Sequence, residues 1–126
     1  MNEVLGRILW DTLHSFCAAY PDRPTDDTET MATMFFLNFR DKLMHLSGSN
    51  CPCRTVFRKL IQIHPPPLKA HGGALYTWSV ALHDFVNLKL GKPLHAPGLE
   101  HPILSERTWR AIFGPGAPIP DAIKGA

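Results

Sequence analysis

Apolar residues recur at helical spacing through most of the chain. Leu5, Ile8, Leu9, Leu13 and Phe16 follow one another at short helical intervals and predict a helix over Val4–Tyr20. Tyr20 precedes Pro21, which pushes it out of helical geometry and ends the run. Thr25, Asp26, Asp27 and Thr28 supply caps for a second helix from about Thr28 to Leu46. Its Met31, Met34, Phe35, Leu37, Phe39, Leu43 and Met44 are expected to turn mostly inward. After a turn at 47–50, Val56, Phe57, Leu60 and Ile61 mark a third helix that ends before Pro65-Pro66-Pro67. Gly72-Gly73 precede a fourth, Ala74–Leu90, closed by Gly91 and Pro93. Ser105 caps a short fifth over 106–113, and the segment 114–126 reads as a flexible tail. With no strand of useful length and no internal repeat, the expected fold class is all-α. It is a four-helix bundle with a short fifth helix, one domain over 1–113.

Composition narrows the partners. A chain of 126 residues with 44% hydrophobic and 19% charged residues can build one real core. A net charge of +2 gives no argument for nucleic acid. No apolar run approaches the roughly 20 residues that span a bilayer. The N-terminus, with Glu3 and Arg7, lacks the basic start and apolar stretch of a signal peptide, so a non-secreted, membrane-free setting is expected.

Two of the three cysteines stand at Cys51-Pro52-Cys53, where the third helix starts. Proline suits the first helical turn, which makes Cys51 the cap. Sulfur there sees the positive end of the helix dipole, and Arg54 adds a cation; both favour thiolate. In a non-secreted chain, paired cysteines point to redox or metal chemistry. His45 is near in sequence, but structural zinc needs a second cysteine pair, and the sequence has none, so no metal is expected. The plainer alternative is two small apolar residues in a turn. Cys17, the third cysteine, reads as a buried small apolar residue.

Two helix faces carry further chemistry. Arg7, Trp10 and His14 share one face of the first helix; His83 and Asn87 share one face of the fourth, with Lys89 and Lys92 following. Indole, imidazole, amide and cations together suit a flat, phosphorylated ligand. The same residues also read as core tryptophans, interior histidines and lysines favouring a helix C-terminus.

The segment Leu5-Gly6-Arg7-Ile8-Leu9-Trp10-Asp11-Thr12-Leu13-His14, with Tyr20-Pro21 and Pro24-Thr25, resembles the opening of the Erv/ALR family of FAD-linked sulfhydryl oxidases. Trp78, His83, Val86, Asn87, Lys89, Leu90, Gly91 and Lys92 match its second block, and Glu106-Arg107-Thr108-Trp109 looks like its late Glu-Arg-Trp with one extra residue. The likeness covers about residues 4–110. It implies FAD held at the mouth of a helical bundle by Gly6, Arg7, Trp10 and His14 on one side. Trp78, His83, Val86, Asn87, Lys89 and Lys92 would stand on the other, with Trp109 closing the pocket. It also implies oxidation of protein dithiols through a Cys51/Cys53 redox pair to FAD and then molecular oxygen, giving hydrogen peroxide. A homodimer is possible, and the compartment would be cytoplasmic or like the mitochondrial intermembrane space. Three departures stand out. The family's Cys-x-x-Cys is here Cys-Pro-Cys, with Asn50 where the distal cysteine usually sits; the asparagine after the second-block histidine is Asp84; and the partners of a frequent structural disulfide are replaced by Val80 and the stretch 95–97. A non-catalytic flavin-binding or interaction protein of the same fold, and a zinc module, are the competing readings.

Overall fold

The computed structural model describes residues 3–42 and 52–126, with side chains from Gly6 to Lys42 and from Arg54 onward. Among the described residues five α-helices follow in the order α1 (Glu3–Ala19), α2 (Asp26–Asp41), α3 (Pro52–Ile63), α4 (Ala74–Leu90) and α5 (Glu106–Phe113). Among the described residues there is no strand, as the helical periodicity predicts.

The fold is organised around α4. Leu75, Trp78, Ala81, Leu82, Phe85 and Val86 are buried along one broad face, and Ser79, Asp84 and Asn87 are buried on the remaining sides. A helix buried on nearly all sides belongs in the middle of a protein, and α4 packs against α1 and α3, while α3 also meets α5. α1 contributes Leu9, Leu13 and Cys17; α3 contributes Val56, Phe57 and Leu60. Cys17 is free, and burial pushes its thiol up to about 12, so it serves as an inert core residue.

α2 begins two residues earlier than the sequence suggests. Thr25 is its N-cap and forms a reciprocal capping box with Thr28. Its buried face is Ala32, Phe36 and Phe39, whereas Met31, Met34 and Leu37, expected to point inward, are 59%, 60% and 47% exposed. The apolar residues of α2 spread over more than one face, and the bundle covers only one. Phe35 stacks on Phe16 with ring centroids 3.9 Å apart, Phe36 meets Trp78 edge-on, and Phe39 reaches Phe57. The expected continuation of α2 through Leu43 and Met44 to Leu46 lies outside the described residues, as does Cys51.

α4 ends as its glycine predicts. Gly91 has φ of 70°, in the left-handed region, and the N–H groups of Gly91 and Lys92 return to the carbonyls of Leu88 and Asn87. The last segment, expected to be loose, packs back instead. Ile123 is buried in the core, Ile119 packs against it, and Gly125 N–H donates to the Glu106 carboxylate at 2.9 Å. Isoleucines set among the prolines and glycines give this segment apolar area to bury, which composition alone concealed. No helix among the described residues is long and apolar enough to cross a membrane.

Candidate functional site

A cleft of about 510 Å³ opens between α1, α4 and the segment that follows α4, within the usual size of a small-ligand site. α1 contributes Gly6, Arg7, Trp10 and Asp11; α4 contributes His83, Val86, Asn87 and Leu90; Lys92, Pro93 and His95 complete the rim.

One wall is flat. The Trp10 and His83 rings stack with centroids 3.9 Å apart and planes 6° from parallel. Behind them runs a polar chain into the core: His83 Nδ1 to His14 Nε2 at 2.9 Å, His14 Nδ1 to Ser79 Oγ at 2.9 Å, and Ser79 Oγ to the Tyr76 carbonyl at 2.7 Å. A carbonyl only accepts, so the Ser79 hydroxyl donates to it. His14 Nδ1–H then donates to Ser79, and His14 Nε2 accepts from His83 Nδ1–H. This tautomer assignment follows from the bonding network. It requires His14 to be neutral, since its Nε2 accepts, and the electrostatics keep both imidazoles neutral. Burial, then the neighbouring His14 and His95, bring His83 down to about 3; burial and His95 lower His14.

The floor beside this wall is polar. Asn87 is buried and lines the cleft. One turn earlier Asp84, with no exposure, accepts the backbone N–H of His95 at 2.8 Å and of Ala96 at 3.0 Å. His95 in turn lies 4.7 Å from His83, ring to ring. On the opposite side, Trp10 meets Phe57 of α3 edge-on at 6.5 Å. Phe57 stands four residues after Cys53, so the first turn of α3 is one helical turn from the wall.

Of the residues singled out from the sequence, Gly6, Arg7, Trp10, His83, Val86, Asn87 and Lys92 meet at the cleft. His14 stands behind His83. Trp78 is buried with its indole N–H on the His64 carbonyl at 2.9 Å. Trp109 is buried against Phe85 and Phe113, and Lys89 extends over the Phe113 ring at 4.6 Å, away from the cleft. Cys51 is outside the described residues, and the Cys53 side chain is likewise undescribed. Sequence reasoning missed Asp11, Leu90, Pro93 and His95 on the rim and Ser79 beneath it. His95 carried no periodic signal because it lies beyond the helix.

The described residues thus define an all-helical protein with a cleft flat and aromatic on one wall and cationic at its rim. The chain belongs to the Erv1 / Alr family, whose model matches residues 7–110. It is 35% identical over 91 residues to the mitochondrial FAD-linked sulfhydryl oxidase ERV1 of Saccharomyces cerevisiae, covering 72% of this chain and 45% of that protein. It is 28% identical over 98 residues to the FAD-linked sulfhydryl oxidase erv2 of Schizosaccharomyces pombe, with 73% and 45% covered. The FAD-linked sulfhydryl oxidase ERV1 of Oryza sativa subsp. japonica is 29% identical over 97 residues, with 74% and 45% covered. The chain spans about half the length of these curated relatives. No solved structure matches it significantly.

Proposed function

We propose that the chain is a FAD-dependent sulfhydryl oxidase that turns protein dithiols into disulfides and delivers the electrons to molecular oxygen. The observation that carries this reading is the stacked Trp10–His83 wall facing a rim with Arg7 and Lys92, in a chain whose relatives are named FAD-linked sulfhydryl oxidases. The fit to FAD is chemical. The flat wall suits a fused ring system, the two cations suit a pyrophosphate, and the Asn87 amide can donate to or accept from a ring edge. His14 fixes the orientation of His83 through its hydrogen bond. Trp78, Lys89 and Trp109 act by holding the helices in place.

Cys51 and Cys53 carry the exchange chemistry in this reading. A substrate thiolate attacks the Cys51–Cys53 disulfide, a mixed disulfide forms, and the substrate's second thiolate displaces the enzyme thiolate. The substrate leaves oxidised by two electrons and the cysteine pair holds them. When bound, the flavin supplies two-electron acceptance from a thiolate and reoxidation by oxygen, so the sum is dithiol plus oxygen to disulfide plus hydrogen peroxide. Cys53 serves as the flavin-proximal member, since it lies in the turn of α3 just before Phe57.

Ile8, Met31, Met34 and Leu37, all 47–60% exposed on α1 and α2, support a homodimer formed through these helices. The setting that fits is non-secreted, cytoplasmic or like the mitochondrial intermembrane space.

Purified protein tests the reading. A yellow flavin spectrum, with oxygen uptake and peroxide release on adding dithiothreitol that Cys53→Ser abolishes, is the expected result. A colourless protein that takes up no FAD overturns the cofactor assignment. A yellow protein that consumes no oxygen favours the non-catalytic flavoprotein, for which the shortened Cys-Pro-Cys spacing is the specific argument.

A further inference from the structure

Asp84 is a buried carboxylate in the middle of the most buried helix. An ionised carboxylate is costly to bury unless it is paired or fully hydrogen-bonded. None of the ion pairs among the described residues includes it; these are Arg40–Asp41, Arg110–Glu106 and Lys124–Asp121. Its compensation comes from backbone. His95 N–H donates to Oδ1 at 2.8 Å and Ala96 N–H to Oδ2 at 3.0 Å, with the Asn87 amide further off at 3.4 Å from Oδ1.

The two backbone donors are consecutive residues of the segment that leaves α4. That segment has no regular secondary structure of its own. Pro93 and Pro97 have no N–H to offer, and two of the three N–H groups that remain converge on Asp84. The same segment brings Pro93 and His95 to the cleft and is continuous with Lys92. It also sets the His95 ring against His83.

We infer that Asp84 is a positioning residue, a carboxylate clamp that fastens residues 93–97 to α4 and thereby fixes the rim of the cleft. The chemistry requires a carboxylate. Both of its oxygens accept, one for each N–H, whereas an amide has one acceptor and would turn its NH₂ toward the other N–H. Hydrogen bonds to a charged acceptor are also about twice as strong as neutral ones. The consequence for the cofactor rests on the reading of the cleft as a flavin site. The clamp itself does not.

The test uses the full chain in two arms. In the first, amide hydrogen exchange is followed by NMR without FAD. Asp84→Asn should speed exchange at His95 and Ala96 by about tenfold or more, the scale of losing one charge-assisted bond, while amides of α3 keep their protection. In the second, the variant is titrated with FAD, and its Kd should rise by about tenfold. Ala96→Pro deletes one donor from the surface side without touching α4, and it should weaken FAD binding in the same direction should Asp84→Asn fail to fold. Unchanged exchange at His95 and Ala96 overturns the clamp. Faster exchange with unchanged FAD affinity overturns its role in fixing the rim. If wild-type protein takes up no FAD, the flavin reading falls, and the exchange arm still decides the clamp.

Discussion

Two histidine networks flank α4, and they differ at one end. In the first, Ser79, His14 and His83 form a chain that starts on the Tyr76 carbonyl and ends at the cleft. In the second, His64 Nε2 meets Thr108 Oγ1 at 2.8 Å, and Thr108 donates to the Pro102 carbonyl at 3.0 Å. The His64 carbonyl accepts the Trp78 indole N–H. Burial lowers the pKa of His64, as it does that of His14 and His83. The second network closes on backbone carbonyls and joins α3, α4 and α5. The first reaches the cleft through a ring stacked on Trp10. Residue type and pKa direction are therefore shared; what separates a structural histidine from a site histidine is where the hydrogen-bond chain ends.

The largest expected effect comes from breaking the open network's aromatic wall. Trp10→Ala should weaken FAD binding by about a hundredfold, the scale of losing one stacked aromatic face. Far-UV circular dichroism of the variant should stay close to wild type. Titration of apoprotein with FAD reads this, and an affinity unchanged by the substitution would place the cofactor elsewhere.

Breaking the closed network should do the reverse. Thr108→Val leaves His64 Nε2 without its partner and removes the bond to Pro102, which should cost about 1–3 kcal/mol in urea unfolding. FAD affinity measured below the transition should stay within about twofold, as expected for a site that shares no partner with the cleft. A large loss of affinity at full helicity would show that the two networks are coupled.

Acidification sharpens the contrast next. His83 has its pKa brought from 6.5 to about 3 in the folded state. Between those values the unfolded chain binds a proton that the folded one refuses. The stability contribution is therefore full above 6.5 and is lost as pH falls toward about 3. His83→Gln should remove this part of the slope of unfolding free energy against pH. An unaltered slope in that window would show that His83 is not held neutral.

The smallest effects separate two lysines. Lys92→Met should weaken FAD binding and flatten its salt dependence, because an exposed charge at the rim is screened over about a Debye length. Lys89 sits over Phe113, so Lys89→Met should leave the salt dependence intact and cost about 0.5–1 kcal/mol of stability. Equal effects of the two on FAD binding would put Lys89 back at the cleft.

Helix existence was legible because periodicity and punctuation are local. Gly91 closes α4 and Ser105 caps α5 where the sequence says; Thr25 and Thr28 mark the start of α2 within a turn. The meeting of Arg7 and Trp10 with His83 and Asn87 was legible too, through helical faces and the family resemblance. Burial on α2 was not, since an apolar residue reports a preference for burial while the neighbours decide which face receives it. Asp84 illustrates the same limit: the sequence shows an acid in an apolar helix, and only the returning segment shows its two donors.

The sequence by itself determined the all-helical class, the order of helices, the residues able to form a cleft and the membership in the Erv1 / Alr family. These follow from short-range steric and periodic rules and from motifs contiguous in the chain. Tertiary structure alone decided that Trp109 packs on Phe85 and Lys89 on Phe113, that His95 joins the cleft, and that Ile123 returns to the core. Each depends on a contact between residues distant in sequence, or on which of several faces a helix buries. No local pattern encodes that choice, because the free energy that settles it is realised only when the elements meet.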